Sequence, residues 1–461
     1  MQLHWHRRDL RLEDNPALCR DETPVVGLFV FDPALLAGAG PPRVAYLRAS
    51  VQRLRDAYRA HGSDLVVRHA SPVRAVPSVA KAIPATSVSW EVDYSQLATR
   101  RDRRMREQLD VPVRTEDGAV CHPPGTITTT AGDPYKVFSY YGDKWLDRDK
   151  SEPAPVPSGL GLPGVDPGSI PQYHELDVSE CEASLPRAGA SAAHERLDEF
   201  VDGAIYRYVD RRDTPAAAGT SRLSQDLAFG TIGSRTIWEA TVEALADADD
   251  DHAAESVTTF RRQLAWREFY TQVLWARPDT VTENYRQFEE PLDWREDPEG
   301  LAAWQAGETG FPFVDAGMRQ LQEMAWMHNR VRMVVASFLT KDLLLDWREG
   351  YRWFRTHLVD HDTANDVGGW QWAASTGTDA QPYFRIFNPT RQGEQHDPDA
   401  TYIKHWVPEL RETPAEVIHS WPERTARERG EYAPAYPAPI LDHDRRREAA
   451  IDMFEQARGA D

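Results

Sequence analysis

Two tryptophans separated by one residue stand in the segment DTANDVGGWQWAAS, residues 362–375. Two acids and a pair of glycines precede Trp370 and Trp372. Indoles can stack on flat ligands or pass electrons, carboxylates can hold polar groups, and glycines let a chain turn closely. Two tryptophans so spaced usually belong to core packing or a strand pair, so this segment alone favours that interpretation and leaves a ligand site open as the alternative.

Two helical patterns carry polar and aromatic side chains where a core helix would carry leucine or valine. In RRQLAWREFY one helical face is shared by Gln263, Trp266, Arg267 and Tyr270. In WMHNRVRM a face is predicted for Trp326, Asn329, Arg330 and Met333. Mixed faces of this kind are typical of a lined cavity, so both patterns favour a buried polar ligand site.

Hydroxyl side chains cluster around a predicted helix start in GTSRLSQDL, at Thr220, Ser221 and Ser224. They could cap the helix, and the free backbone N–H groups of its first turn could also bind an anion. Both interpretations stay open at this point.

The overall charge is strongly acidic, with a formal net charge of −20. Of the 53 basic residues only six are lysine and the other 47 are arginine. Many acids with few lysines suggest a surface suited to concentrated salt, where charges are screened within a few ångström. Under that screening an arginine cluster could still bind a phosphate by direct contact.

Several functional classes receive no support from the sequence. The three cysteines lie far apart and lack metal-ligand spacing, so neither a disulfide framework nor a metal site is expected. No apolar run is long enough to span a membrane, and the charged start does not resemble a signal peptide. A cytoplasmic protein without a membrane partner is therefore expected.

The elements that would position these residues divide the chain into three parts. Apolar runs MQLHWH, VVGLFVF, DLVVRH and SVSWEV alternate with helical patterns, which predicts an α/β domain with a parallel sheet over residues 1–130. A long connector rich in proline and glycine is predicted for 131–190. Helical periodicity then predicts an all-α domain over 191–461, and one of its helical patterns is VDAGMRQLQEMAWMHNRVRMVVASFLTKDLLL.

Long motifs in a fixed order resemble the photolyase/cryptochrome family, and specifically its class I cyclobutane pyrimidine dimer (CPD) photolyases. They are TSRLS, QLAWREFY, TGFPFVDAGMRQL, WMHNRVRM and GGWQWAASTGTDAQPYFRIFNPTRQGE, with HWHRRDLRLEDNPAL near the start. The resemblance implies a Rossmann-like antenna domain, a connector and a C-terminal helical FAD-binding domain. It also implies light-dependent repair of dimers in DNA by electron transfer from photoexcited, reduced FAD.

The resemblance also implies site residues, position by position. FAD would be bound by Tyr208, Thr220, Ser221, Arg222, Leu223, Ser224, Phe260, Arg267, Trp326, Asn329, Arg332, Asp360, Asp362 and Asp366. The catalytic pocket for a flipped-out dimer would be formed by Gln263, Trp266, Asn329, Met333 and Trp372. Electrons would reach oxidised flavin through Trp370, Trp347 and Trp294. UV-damaged DNA would be contacted by Arg212, Gln263, Trp266, Arg330, Trp372 and Gln392.

Two positions depart from the dimer-photolyase pattern. Gln263 stands where those enzymes usually have a glutamate that hydrogen-bonds the lesion, and an amide cannot share a proton with a thymine radical anion. Asp366 stands where asparagine usually faces the flavin, and a carboxyl there could deliver a proton to it. Both departures bear on the efficiency of repair.

Two other functions remain open within the family. A cryptochrome-type photoreceptor would commonly lack the pocket tryptophan of QLAWREFY, which this chain keeps as Trp266. A (6-4) photolyase would need histidine at the positions of Asn329 and Met333. The resemblance of the Arg43–Leu47 stretch favours a deazaflavin antenna over a folate or a second flavin, and a monomer is expected.

Overall fold

A computed structural model describes residues 1–19 and 24–459 of the chain. The chain forms two compact units, and each unit is made of three segments of the sequence. The first unit comprises Met1–Val209, Thr220–Pro278 and Val359–Ala364, and the second comprises Asp210–Gly219, Asp279–Leu358 and Asn365–Asp461. The first unit contains residues that the sequence assigned to the helical domain, so the two divisions of the chain do not correspond. The predicted domain limits at residues 130 and 190 therefore stay predictions.

A five-stranded parallel sheet forms the centre of the first unit. Its strands are β1 (Gln2–His6), β2 (Val25–Phe31), β3 (Val66–His69), β4 (Ser87–Glu91) and β5 (Val113–Glu116), in the order β3-β2-β1-β4-β5. The first, second and fourth strands are fully buried, as apolar runs covered on both faces should be. The four predicted strands are thereby confirmed, whereas β5 was not predicted, since its four half-exposed residues give only a weak pattern.

Helices complete the first unit on both sides of the sheet and beyond it. They are α1 (Pro33–Leu36), α2 (Pro41–Ala60), α3 (Pro72–Ala82), α4 (Gln96–Gln108), α5 (Phe138–Asp147), α6 (Ala190–Val201), α7 (Tyr208–Arg211), α8 (Ser224–Phe229), α9 (Ser234–Ala246) and α10 (Asp251–Ala276). The unit limit falls inside α7, after Val209. The first two long helices begin with proline in their first turn, where the missing N–H is not needed.

The connector is ordered by the sheet that it covers. The Val25 N–H donates to the Gly159 carbonyl at 2.9 Å, and the Gly161 N–H donates to the Val25 carbonyl at 2.8 Å. Further along, the Val67 N–H donates to the Pro167 carbonyl at 2.7 Å. The first two bonds satisfy β2 before its pairing with β3 begins, and the third satisfies one N–H on the open edge of β3, so the connector covers part of that edge.

The second unit is helical. Its helices are α11 (Pro298–Ala306), α12 (Pro312–Met324), α13 (Asn329–Ser337), α14 (Trp347–His357), α15 (Thr363–Ala373), α16 (Pro389–His396), α17 (Thr401–Trp406), α18 (Ala415–His419), α19 (Ala426–Tyr432) and α20 (His443–Ala457). The unit limit falls in the first turn of α15, after Ala364. An apolar core that includes Trp304, Trp347 and Trp370 holds these helices together.

The helical pattern of residues 314–345 is divided in the structure, so the predicted helical face that includes Trp326 is wrong. Helix α12 ends at Met324, because Ala325 adopts a left-handed conformation with φ of 50°. A new helix starts at Asn329, where the His328 ring accepts a hydrogen bond from the Arg330 N–H. After Ser337 the chain continues as a π-helical turn over Phe338–Asp342. Trp326 therefore lies before α13 and does not share a helical face with Asn329, Arg330 and Met333.

The architecture is thus α/β at the amino end and all-helical towards the carboxyl end, as predicted. Within residues 1–19 and 24–459, no helix combines the length and the apolar character that crossing a membrane requires.

Candidate functional site

Helix α10 presents the first predicted set of site residues. Gln263, Trp266, Arg267 and Tyr270 are all half-buried along one side of the helix. The opposite side is buried in an apolar cluster that includes Leu264, Ala265 and Phe269. The predicted common face is therefore present, and Asp250 fixes the start of the helix by accepting a hydrogen bond from the Ala253 N–H.

The indole of Trp266 is held by other aromatic rings. It stacks on Phe138 with ring centroids 3.7 Å apart and planes 10° from parallel. Phe269 meets it edge-on, and Tyr270 lies tilted at 5.4 Å. The ring is thus fixed in orientation while part of it stays exposed, which suits a wall on which a flat ligand stacks.

Gln263 is tied back to its own helix. Its side-chain N–H donates to the Thr259 carbonyl one turn earlier, at 3.0 Å. This bond orients the amide and leaves the remaining amide groups of Gln263 for a ligand.

Two arginines of the first unit interact with Asp362. The Arg8 guanidinium donates to the Asp362 carboxylate at 2.5 Å. Burial lowers the pKa of Arg267, and the charge of Asp362 opposes that shift. For Arg8 the same burial effect is outweighed by Asp362 and Asp93, so that its pKa is raised. A half-buried carboxylate with two cations beside it is a preformed charged site, and sequence reasoning did not single out Arg8.

The position of Arg267 depends on a neighbouring residue that was also missed. Arg267 donates to the Ala119 carbonyl at 2.8 Å. The loop that carries this carbonyl is held by buried Glu268, which accepts from the Cys121 N–H at 2.5 Å and the His122 N–H at 3.0 Å. The Trp145 indole N–H binds the same carboxylate at 2.6 Å. Glu268 is therefore a positioning residue for Arg267.

The predicted hydroxyl cap at residues 220–224 is not formed. Helix α8 begins at Ser224 after Leu223, whose side chain has no polar atom and makes no capping bond. Arg222 has a left-handed backbone with φ of 55°, which keeps Thr220 and Ser221 outside the helix. Thr220, Ser221 and Arg222 are half-buried, Leu223 is buried and Ser224 is exposed.

Other predicted flavin residues of the first unit lie in or beside buried clusters. Tyr208 and Phe260 meet edge-on with ring centroids 5.5 Å apart, and Phe200 packs against both. Asp360 is buried just ahead of α15.

Helix α15 separates the two tryptophans of the opening segment. Residues two apart on an α-helix point about 200° away from each other. Trp370 is accordingly buried, whereas Trp372 is half-buried beside Phe387. The expectation that Gly368 and Gly369 turn the chain is wrong, because the helix continues through both.

The glycine that matters for Trp370 is on another helix. A Cβ atom added at Gly350 of α14 would lie 2.0 Å from the Trp370 ring. Gly350 is one turn after Trp347, and residues three apart share a helical face. The Trp370 indole therefore packs against the face of α14 that starts with Trp347.

The other two predicted relay residues differ in burial. Trp347 is fully buried and its indole N–H donates to the Asn284 side chain at 2.9 Å. Trp294 is half-buried beside Phe454, with ring centroids 6.3 Å apart. Exposure thus increases from Trp370 and Trp347 to Trp294.

Helix α13 carries several predicted contacts in its first turns. Asn329 is exposed and its amide contacts the Met333 sulfur at 3.7 Å. Arg332 is half-buried and donates to the Met327 carbonyl at 2.8 Å. Trp326 is buried edge-on against His328, ahead of the helix.

The predicted DNA contacts Arg330 and Arg212 meet at one carboxylate. Arg330 donates to both oxygens of Asp213, at 2.8 and 3.3 Å, and Arg212 lies 4.0 Å from Asp213. Burial raises the pKa of Asp213, but the bonds with Arg330 outweigh it and lower that pKa overall. Gln392 is half-buried on α16, and its side-chain oxygen has no hydrogen-bond partner among residues 1–19 and 24–459.

One group of residues has the composition of a metal site. His4, His6 and Asp9 are buried together at the end of β1. Each ring nitrogen already has a protein partner: Ser89 and Asp9 for His4, and the Asp9 carbonyl and Tyr58 for His6. Burial lowers the pKa of His4 to about 4. The group is a hydrogen-bonded network that fixes the loop after β1.

Comparison with known proteins identifies the family. Residues 2–158 match the family model for DNA photolyase, and residues 260–456 match the model for the FAD binding domain of DNA photolyase. The chain is 55% identical to a deoxyribodipyrimidine photo-lyase of Halobacterium salinarum, over 100% of both chains. The chain belongs to the photolyase/cryptochrome family.

Solved structures of the family agree in fold. A bacterial class III photolyase from Agrobacterium tumefaciens has a TM-score of 0.91 and 33% identity, over 99% of this chain and 97% of that one. A cryptochrome from Synechocystis has a TM-score of 0.90 and 27% identity, over 98% and 99%. Because both kinds of protein share the fold, the fold alone does not separate repair from light sensing.

Proposed function

We infer that this protein is a deoxyribodipyrimidine photo-lyase, an enzyme that uses light to split cyclobutane pyrimidine dimers in DNA. The observation that carries this function is full-length identity of 55% to a photo-lyase. Damaged DNA is then the substrate, and the chain's match to the FAD binding domain supplies the cofactor class.

The residues present fit FAD by the chemistry of their donor groups. Asp362 with Arg8 and Arg267 offers fixed charges, and the polar stripe of α10 offers amide and aromatic contacts. When bound, reduced and photoexcited FAD supplies the electron that opens the cyclobutane ring. The proposal assigns FAD binding to the residues named above, with Asp366 in the first turn of α15 as the one that departs from the family pattern.

The dimer pocket is proposed to use both aromatic and polar groups. Trp266 and Trp372 would stack on the extruded bases, and stacking of this kind contributes about 1–3 kcal/mol per base. Gln263, Asn329 and Met333 would contact the lesion and keep water from it. The rigid packing of Trp266 on Phe138 supports this role, because a preordered wall loses little entropy on binding.

Trp370, Trp347 and Trp294 are proposed to pass electrons from the surface to oxidised flavin. Their burial supports the proposal, since Trp294 is partly exposed to an external reductant whereas Trp347 and Trp370 are both buried. The indole N–H of Trp370 has no hydrogen-bond partner in the described part of the chain, and its ring packs edge-on against Trp304 and Phe354.

The phosphate contacts are proposed for Arg212, Arg330 and Gln392. Asp213 holds the Arg330 guanidinium in place. Because Asp213 and a phosphate are both negative, the two arginines would have to balance both charges when a phosphate approaches. The side-chain amide N–H groups of Gln392 would donate to a phosphate oxygen.

The finer assignments complete the proposal. A deazaflavin antenna is favoured over a folate or a second flavin, and extraction and absorption spectroscopy of the purified protein would identify it. We expect a monomer and a cytoplasmic location, in keeping with a DNA substrate and three free cysteines.

The deciding experiment illuminates the reduced protein with dimer-containing DNA, single- and double-stranded, at low and high salt. Loss of dimers that requires both light and protein is expected. Trp266→Ala should weaken binding of dimer-containing DNA about 5- to 150-fold, because this is the change in affinity that corresponds to the loss of one stacked base. Trp275→Ala is the matched control, because Trp275 lies on the same helix and is already exposed.

No light-dependent loss of dimers under any of these conditions would exclude repair. The likeness to the Synechocystis cryptochrome would then favour a blue-light photoreceptor. The (6-4) alternative predicts repair of (6-4) photoproducts, which Asn329 and Met333 do not favour since neither supplies an imidazole.

A further inference from the structure

Two neighbouring helices of the first unit are basic in an acidic chain. Helices α3 and α4 pack against each other. Their basic residues are Arg74, Lys81, Arg100, Arg101, Arg103, Arg104 and Arg106, and their acidic residues are Asp102 and Glu107. Seven positive and two negative charges give these helices a net charge of +5, against −20 for the whole chain.

Five of the cations point outwards and are unpaired. They are Arg74, Lys81, Arg100, Arg103 and Arg104, which form what we call the α3–α4 basic surface. All five are exposed, and no side-chain hydrogen bond or ion pair joins them to any residue in 1–19 or 24–459. Lys81 is seven residues after Arg74 on α3, and Arg103 and Arg104 are three and four residues after Arg100 on α4, so each set shares an outer face.

The acid in the middle of α4 does not neutralise this surface. Asp102 is buried and accepts hydrogen bonds from Arg7 at 2.7 Å and from the Trp90 indole at 3.0 Å. Arg101 is likewise turned inwards, over the Trp5 ring. The outer face of α4 therefore keeps its positive charge.

Three exposed arginines in other helices are arranged differently. Arg352, Arg427 and Arg445 each have a carboxylate within 4.0 Å, at Glu349, Glu431 and Asp442 respectively. An acid one turn away is the usual way to support an exposed helix. Helix α3 has no acid, and α4 has only Asp102, which is buried, and Glu107. The exposed guanidinium groups are therefore available to an external anion.

We propose that the α3–α4 basic surface binds the phosphate backbone of duplex DNA, as a contact additional to the lesion pocket. The proposal extends the proposed function, because DNA is the polyanion on which the enzyme acts. Guanidinium groups pair with phosphates in a bidentate geometry that survives in concentrated salt better than long-range attraction does. Such a contact is independent of sequence and of damage, so it would help an acidic enzyme remain on undamaged DNA while it searches.

The test measures binding of undamaged duplex DNA in the dark over a range of KCl concentrations. The variant carries Arg100→Gln, Arg103→Gln and Arg104→Gln. Each lost phosphate contact should reduce the slope of log K against log salt by about 0.9, so a reduction of about 2–3 and an affinity loss of about tenfold or more are expected. The matched control carries Arg352→Gln, Arg427→Gln and Arg445→Gln, which removes equal charge from paired positions.

Unchanged affinity and slope in the first variant would overturn the proposal, and would indicate another class of partner for this surface. An equal loss in the control would also overturn it, since the effect would then come from net charge. If the triple variant does not fold by circular dichroism, Arg103→Gln alone should still lower the slope by about 1. Failure of the repair function would instead appear as no light-dependent dimer loss by the unaltered protein, which this dark measurement does not involve.

Discussion

At the scale of single residues, Gln263 offers the sharpest test of repair chemistry. Its amide is oriented by the Thr259 carbonyl but cannot share a proton with a reduced base. Gln263→Glu should therefore raise the number of dimers repaired per absorbed photon by pre-reduced enzyme. Flavin absorbance and affinity for dimer-containing DNA serve as controls. An unchanged yield would contradict the role assigned to this position.

The two tryptophans of α15 should separate two activities. Trp370→Phe should strongly slow photoreduction of oxidised flavin, because phenylalanine is far harder to oxidise than tryptophan, while repair by pre-reduced enzyme continues. Trp372→Phe should show the reverse, with weaker binding of dimer-containing DNA and normal photoreduction. Absorption changes under blue light and dimer repair are the two measurements. Loss of both activities in either variant would argue against this division of roles.

Some site residues could not be found from the sequence because their importance arises only through contact. Arg8 contributes to the site because it pairs with Asp362, which lies more than 350 positions later in the chain. Glu268 acts through the backbone of residues 121 and 122. By contrast, the face of α10 was predictable, since helical spacing alone brings its side chains together.

At the scale of elements, the break between α12 and α13 shows where periodicity misleads. The helical pattern continues across the break and so placed Trp326 on one face with Asn329, but the left-handed residue Ala325 redirects the chain between them. Strand β5 was missed for the opposite reason, since a short edge strand has little pattern to detect. Long buried strands were predictable because both of their faces are covered.

Two helical glycines should respond in opposite directions to alanine. Gly350→Ala would place a methyl group 2.0 Å from the Trp370 ring, so the free energy of unfolding should fall by about 1–3 kcal/mol. Gly369→Ala has nothing within 4 Å and should increase it by about 0.4–1 kcal/mol, since alanine loses less entropy in a helix. Denaturant unfolding measures both. A destabilisation of equal size at the two positions would mean that Trp370 does not pack on Gly350.

At the scale of the whole molecule, the net charge of −20 should make stability depend on salt. Adding KCl screens repulsion between acids, so the thermal midpoint should rise by several degrees. The rise should be steepest below about 0.5 M, where the Debye length shrinks fastest. A midpoint that does not change, or that falls, would contradict a surface suited to concentrated salt.

The course of the chain through the two compact units also bears on how the protein is made. The first unit is not complete until Val359–Ala364 has been added, and those six residues follow 80 residues that belong to the second unit. Synthesis runs from the amino end, and domains generally fold in that order. Here 364 of the 461 residues must be synthesised before every segment of the first unit is available to fold. Until then the first unit is incomplete, and a messenger truncated before this point encodes neither unit in full.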